Sequence, residues 1–173
     1  PNSLPALISS WLIRAFYCWR FMPAERISDH GSTLDSAVLV SVVIPTYNRL
    51  PILQQCLRAL EVQRPLDPGD SFEVVLVDDG STDGTVEWIQ REAAALPHVR
   101  LICQEHGGPA IGRNLGVDHA HGEVIIFIDS DLVVVPDFLR HHLRSLRQAW
   151  QRDGNRLCFT YGAVINTHNF AFS

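Results

Sequence analysis

Lysine is absent: all 14 basic residues of the 173-residue chain are arginine. Schiff-base catalysis, which needs an amine nucleophile, is thereby excluded. So is a Walker A phosphate loop, whose lysine reaches the phosphates. Cysteine is sparse. Cys18, Cys56, Cys103 and Cys158 stand far apart with no CxxC pair, which argues against a zinc ribbon. Disulfide frameworks belong to shorter secreted chains, so reduced, partly buried thiols in a cytosolic protein are expected. The uncharged N-terminal stretch covers only residues 1–13, too short for a bilayer span of about 20 residues. Positive charge is in deficit: 14 basic against 19 acidic residues give −5, without the electrostatic footprint of a general nucleic-acid binder.

The chain is long enough for one domain with its own core, and 46% hydrophobic with 19% charged residues is an ordinary globular composition. Residues 1–27 stand apart. Leu4, Leu7, Ile8, Trp11, Leu12 and Ala15 follow helical spacing, with Arg14, Arg20 and Arg26 interspersed. Two readings stand: an amphipathic helix lying on a membrane surface, or a helix docked on another part of the protein or on a partner. Residues 28–37 read as a polar linker.

From residue 38 the chain alternates. Strands are expected at 37–45, 72–77, 98–103, 123–128 and 157–165, and helices at 50–61, 82–95, 109–120 and 136–151, the last with Pro136 in its first turn. The strands are near-continuous apolar runs, which fits strands covered on both faces. This β-α-β order predicts an α/β fold, a mostly parallel sheet with helices on both faces.

Such sheets bind ligands outside the carboxyl ends of their strands. The segments expected there are PTYNR (45–49), DDGSTDGT (78–85), QEHGGPAIGRNLG (104–116) and DSD (129–131). In DSD, residues two apart on an extended chain point the same way. Asp129 and Asp131 therefore suit a shared Mg²⁺ or Mn²⁺, which takes oxygen ligands and bridges to phosphates. The plainer reading is a helix cap beside a solvated carboxylate. In DDGSTDGT, Gly80 and Gly84 suit a tight turn and Asp83 a cap. One of Asp78 and Asp79 is expected to accept hydrogen bonds from a ribose or base. PTYNR offers Tyr47 for stacking on a base and Arg49 for a phosphate. Arg113 is expected near a diphosphate, and Gly112 and Gly116 at a close helix-to-sheet contact. The glycines do not fit GxGxxG, which sets aside a dinucleotide-dependent oxidoreductase. A receiver domain fails for want of its lysine. His119/His121 and His141/His142 lack the i,i+4 metal spacing and read as solvated surface.

SVVIPTYNR, VVLVDDGSTDGT, GGPAIGRNLG and FIDSDLVVVPDFL, in this order, resemble the family 2 glycosyltransferases with the Rossmann-like GT-A fold, over about residues 38–170. The resemblance implies transfer of a sugar from a nucleotide-diphosphate donor, UDP by expectation, to an acceptor hydroxyl with inversion. It places Thr46 in the nucleotide pocket, Tyr47 on the base, Asp79 on the base or ribose and Asp129 near the cation, and with Pro45, Arg49, Asp78 and Arg113 these make up the expected nucleotide-sugar site. Asp131 is the expected ligand of Mn²⁺ or Mg²⁺. The family's catalytic base lies well after the DxD triplet. Here only Asp137 and Asp153 follow Asp131 as acids, and neither suits the role. The expectation is therefore the donor half of a longer enzyme, with residues 38–173 cut before the acceptor half. Its acceptor is a sugar, lipid or protein, and its place is the cytoplasm, at the inner face of a membrane where envelope polysaccharide is made. The rival is a non-catalytic nucleotide-binding or scaffolding module.

Overall fold

The computed structural model describes residues 37–154, 159, 160 and 162. The expected N-terminal helix over 1–27 lies outside them. So do all of the linker but Ala37, and the fifth strand at 157–165 except Phe159, Thr160 and Gly162.

Four strands, β1 (Leu39–Thr46), β2 (Ser71–Asp78), β3 (Val99–Cys103) and β4 (Val124–Phe127), form one sheet in the order β3-β2-β1-β4. All three pairings are parallel, with Thr46 opposite Asp78 and Asp78 opposite Cys103 at the carboxyl edge. The helices are α1 (Leu50–Glu61), α2 (Thr85–Arg91), α3 (Pro109–His119) and α4 (Phe138–Asp153).

Alternation along β1 explains the two-faced core. Val40, Val42 and Ile44 share one cluster with Leu53, Leu57 and Leu60 of α1, Trp88 and Ile89 of α2, and Leu139, Leu143, Leu146 and Trp150 of α4. Val43, Val75 and Val77 point to the other face, against Leu115 of α3. Helices thus cover both faces, which is why consecutive residues in the middle of the central strands are apolar. On the α3 side the approach is close. A Cβ built on Gly116 would stand 2.3 Å from Val43 Cγ1, and one on Gly112 would stand 3.2 Å from Pro45 Cβ.

Two helices start later than their periodicity suggests. The segment 82–95 becomes helical only at Thr85 and ends in a short 3₁₀ turn at Ala93–Ala95. The cause is local: Gly84 is left-handed at φ 87°, and Asp83 accepts hydrogen bonds from Leu50 N (2.9 Å) and Thr85 Oγ1 (2.6 Å) instead of entering the helix. Pro136 precedes α4 rather than sitting in its first turn, because Val135 and Phe138 close a backbone turn around it (3.0 Å).

Candidate active site

The ends of β1, β2 and β4 and the loop after β3 meet at the carboxyl edge of the sheet. Their connections are tied to one another by side chains. Asn48, in the left-handed region at φ 50°, accepts from Thr82 N (2.8 Å) and donates its own N–H to Ser81 Oγ (2.9 Å). With Asp83 holding Leu50 N, the loops after β1 and β2 form one unit. Sequence reasoning passed over Asn48; its tolerance of positive φ is the signal that marks it.

Asp79 is 2% exposed. Its carboxylate accepts from Gln104 Nε2 (2.5 Å), Gly107 N (2.8 Å) and Gly108 N (2.8 Å), and lies 2.9 Å from His106 Nδ1. Burial alone would raise its pKa. The donors from Gln104, Gly107 and Gly108 and the charge of His106 outweigh that and hold it below the usual carboxylate range. Asp79 therefore clamps the loop after β3 onto the end of β2. Gln104 and His106 were not among the expected site residues, although both sit directly after a strand in the ligand-bearing position.

Asp78 is equally buried. Its Oδ2 accepts from Ser81 N (3.0 Å), whereas Oδ1 has no partner; neither has Thr46 Oγ1 across the strand pair. Such buried polar atoms without partners are uncommon and ask for a reason. Pro45 is inside the sheet, beside Val77 and under Gly112.

Tyr47 is 42% exposed, and its ring stacks on His106 (centroids 4.1 Å apart, planes at 28°). Arg49 pairs with Asp131, and Arg113 pairs with Asp129. The two carboxylates expected to need a cation between them are thus each balanced by an arginine. Both are about half exposed, open to a ligand, and their oxygen-only chemistry suits Mg²⁺ or Mn²⁺, with the remaining positions left to water and phosphate. No cluster of three or more His, Cys, Asp or Glu that could hold a metal occurs among the described residues.

The remaining acids and histidines have other partners. Asp137 pairs with Arg64 (2.7 Å) and Arg140 (3.5 Å). Asp153 ends α4 and pairs with Arg152 (2.7 Å). His142 is not solvated surface: it is half-buried, bonded to Thr160 Oγ1 (2.8 Å) and set edge-on against Phe138. His121 lies 3.3 Å from Glu73.

The profile of Glycosyl transferase family 2 matches residues 41–156. The chain belongs to this family, and its sheet is the Rossmann-like core of a GT-A fold. It is 35% identical over 103 residues to the uncharacterized glycosyltransferase YibD of Escherichia coli, covering 60% of this chain and 29% of that protein. An uncharacterized glycosyltransferase of Haemophilus influenzae is 33% identical over 135 residues, covering 78% of this chain and 48% of its own length. Among solved structures, Staphylococcus aureus TarS 1-349 in complex with UDP-GlcNAc aligns at TM-score 0.56 and 32% identity, over 63% of this chain and 31% of TarS. The mannosyltransferase PcManGT from Pyrobaculum calidifontis, in complex with GDP-Man and Mn²⁺, aligns at TM-score 0.58 and 30% identity, over 79% and 40%. The chain spans less than half the length of these relatives.

Proposed function

We propose that this chain is the donor-binding part of an inverting, metal-dependent glycosyltransferase acting on a nucleotide-diphosphate sugar, with UDP as the nucleotide. The observation that carries the proposal is the pair of ion pairs at the carboxyl edge, Arg49–Asp131 and Arg113–Asp129. Each holds one group suited to a phosphate and one suited to a cation, so a diphosphate with its divalent ion would exchange partners with them at balanced charge. UDP-GlcNAc on TarS, and GDP-Man with Mn²⁺ on PcManGT, support donors of this class.

Each residue then has a role. Tyr47 stacks on the base, and Asp79 bonds it or the ribose. Thr46 and Asp78, whose buried Oγ1 and Oδ1 lack partners at the carboxyl edge, take the nucleotide with Pro45 beside them in β1. Arg49 and Arg113 bind the diphosphate. Asp131, with Asp129 beside it, would hold the Mn²⁺ or Mg²⁺; that ion, when bound, supplies Lewis-acid neutralisation of the leaving diphosphate. The acceptor hydroxyl must also lose its proton to a base. Asp137 and Asp153 are tied to arginines, so that base belongs to the acceptor-binding part of the full enzyme. The same observation is what favours the second reading, a nucleotide-binding module without catalysis.

The site serves envelope polysaccharide synthesis on the inner face of a membrane, with residues 1–27 as the peripheral contact; no helix of the described residues is long and apolar enough to cross one. Calorimetry of UDP with Mn²⁺, repeated in EDTA, tests the donor site. Binding that requires the metal is the expected result, and binding indifferent to EDTA removes the metal from the proposal. Slow hydrolysis of the sugar-nucleotide separates the enzyme from the inert module.

A further inference from the structure

We infer that His106 is a place-holder for the nucleobase and sets the affinity of the donor site. This rests on the roles given above to Tyr47 and Asp79. The imidazole is a flat ring stacked on Tyr47 at 4.1 Å, with a ring nitrogen 2.9 Å from Asp79 Oδ2. Those are the two contacts a base bearing a ring N–H would make with the same residues. They cannot be made twice. Gln104, Gly107 and Gly108 donate to three of the carboxylate's roughly four acceptor positions, and the His106 ring, whose Nδ1 bonds the Asp79 main-chain oxygen (3.2 Å), stands 2.9 Å from Oδ2 and blocks the approach to the fourth.

Of these donors, Gly107 and Gly108 are main-chain groups fixed by the loop. The His106 side chain is 57% exposed, against 3% for its partner Asp79. It is the group that can swing into water at least cost, uncovering the Tyr47 ring and one lone pair of Asp79 together. Until nucleotide arrives, it covers a buried carboxylate and an aromatic face together. Nucleotide must therefore displace one stacked, hydrogen-bonded ring, and the apparent affinity is reduced by the fraction of molecules in which the ring is closed.

The test uses the 173-residue chain, its His106→Ala variant and, as a second replacement, His106→Ser, all with Mn²⁺. Calorimetry measures UDP and pyrophosphate, which has no base, and a thermal melt confirms that each variant is folded. The expected result is UDP binding about threefold to tenfold tighter in both variants, the worth of one exposed ring stack, with pyrophosphate unchanged. A conventional contact residue would give the opposite sign. Weaker or unchanged UDP binding overturns the inference and leaves the donor site standing. Equal tightening of UDP and pyrophosphate also overturns it, because the effect is then not at the base. If none of the three proteins binds UDP, the donor-site reading itself fails and takes the inference with it.

Discussion

Asp79→Asn isolates the clamp on which the site is built. The substitution keeps the shape and removes one acceptor oxygen. Asp79 is buried, with Gln104, Gly107 and Gly108 donating to its carboxylate and His106 Nδ1 2.9 Å from Oδ2. An asparagine keeps one oxygen for at most two of them and turns an N–H₂ group toward the others. Hydrogen bonds to a charged group are worth about 1.5–3 kcal/mol each, and a buried donor left unmade costs about 1–3 kcal/mol. One lost backbone bond, with the other donor rehydrated at the exposed loop, gives a destabilisation of about 2–4 kcal/mol. At about 2–4 °C per kcal/mol for a protein of this size, the melting temperature falls by roughly 5–15 °C. Asp78→Asn is the internal control. Its Oδ1 has no partner, so the substitution breaks no hydrogen bond between the loops, leaves the carbonyl on Ser81 N and only exchanges one unpartnered buried group for another, at a smaller cost than Asp79→Asn. Urea titrations of the two variants measure the difference. The pH dependence adds a second check. Asp79 has a lowered pKa in the fold, so its contribution is present above the unfolded value of about 3.9 and is lost as pH falls through the folded value. The gap between wild type and Asp79→Asn should therefore be full at pH 7 and shrink below about pH 4. Equal losses in the two variants, or a gap that does not depend on pH, would refute the clamp.

Four further outcomes follow from the same geometry. Asp131→Ala should abolish metal-dependent UDP binding and barely move the melting temperature, since exposed ion pairs such as Arg49–Asp131 contribute about 0–1 kcal/mol; calorimetry with unchanged affinity removes Asp131 as the cation's ligand. Gly116→Ala should cost about 1–3 kcal/mol, because its Cβ would lie 2.3 Å from Val43 Cγ1; a urea midpoint equal to wild type would mean that α3 is not seated on β1. Wild-type stability itself should drop below about pH 4, as Glu73 and Asp83 also sit below their usual range in the fold. They too stabilise above their unfolded values and lose that contribution in acid, which an acid titration followed by circular dichroism reads directly. Burial, with the charge of Asp131 adding to it, pushes the Cys56 thiol up to about 12. Peptide mapping after brief alkylation should thus find exposed Cys103 labelled and Cys56 untouched.

What the sequence determined by itself is the order of elements from β1 to α4, the parallel sheet and the edge where the polar segments gather. The reason is that burial periodicity is local. Val40, Val42, Val43 and Ile44 could all be apolar only in a strand covered on both sides, and the residues after each such run had to lie at its carboxyl end. The four motifs carried the family for the same reason: their residues serve local turns and strand ends. Tertiary structure alone decided how the site's charges are spent. Asp79 and Gly108 are 29 residues apart, Arg49 and Asp131 are 82 apart, and no spacing rule foretells such partners. The start of α2 was misjudged because Asp83 reaches across to Leu50 N, a contact between elements that outweighs helical periodicity. His106, unremarkable in the sequence, acquired its place only when the loop after β3 closed onto Tyr47 and Asp79. A side chain's partner depends on which segments the fold brings within about 3 Å, and a linear pattern does not contain that distance.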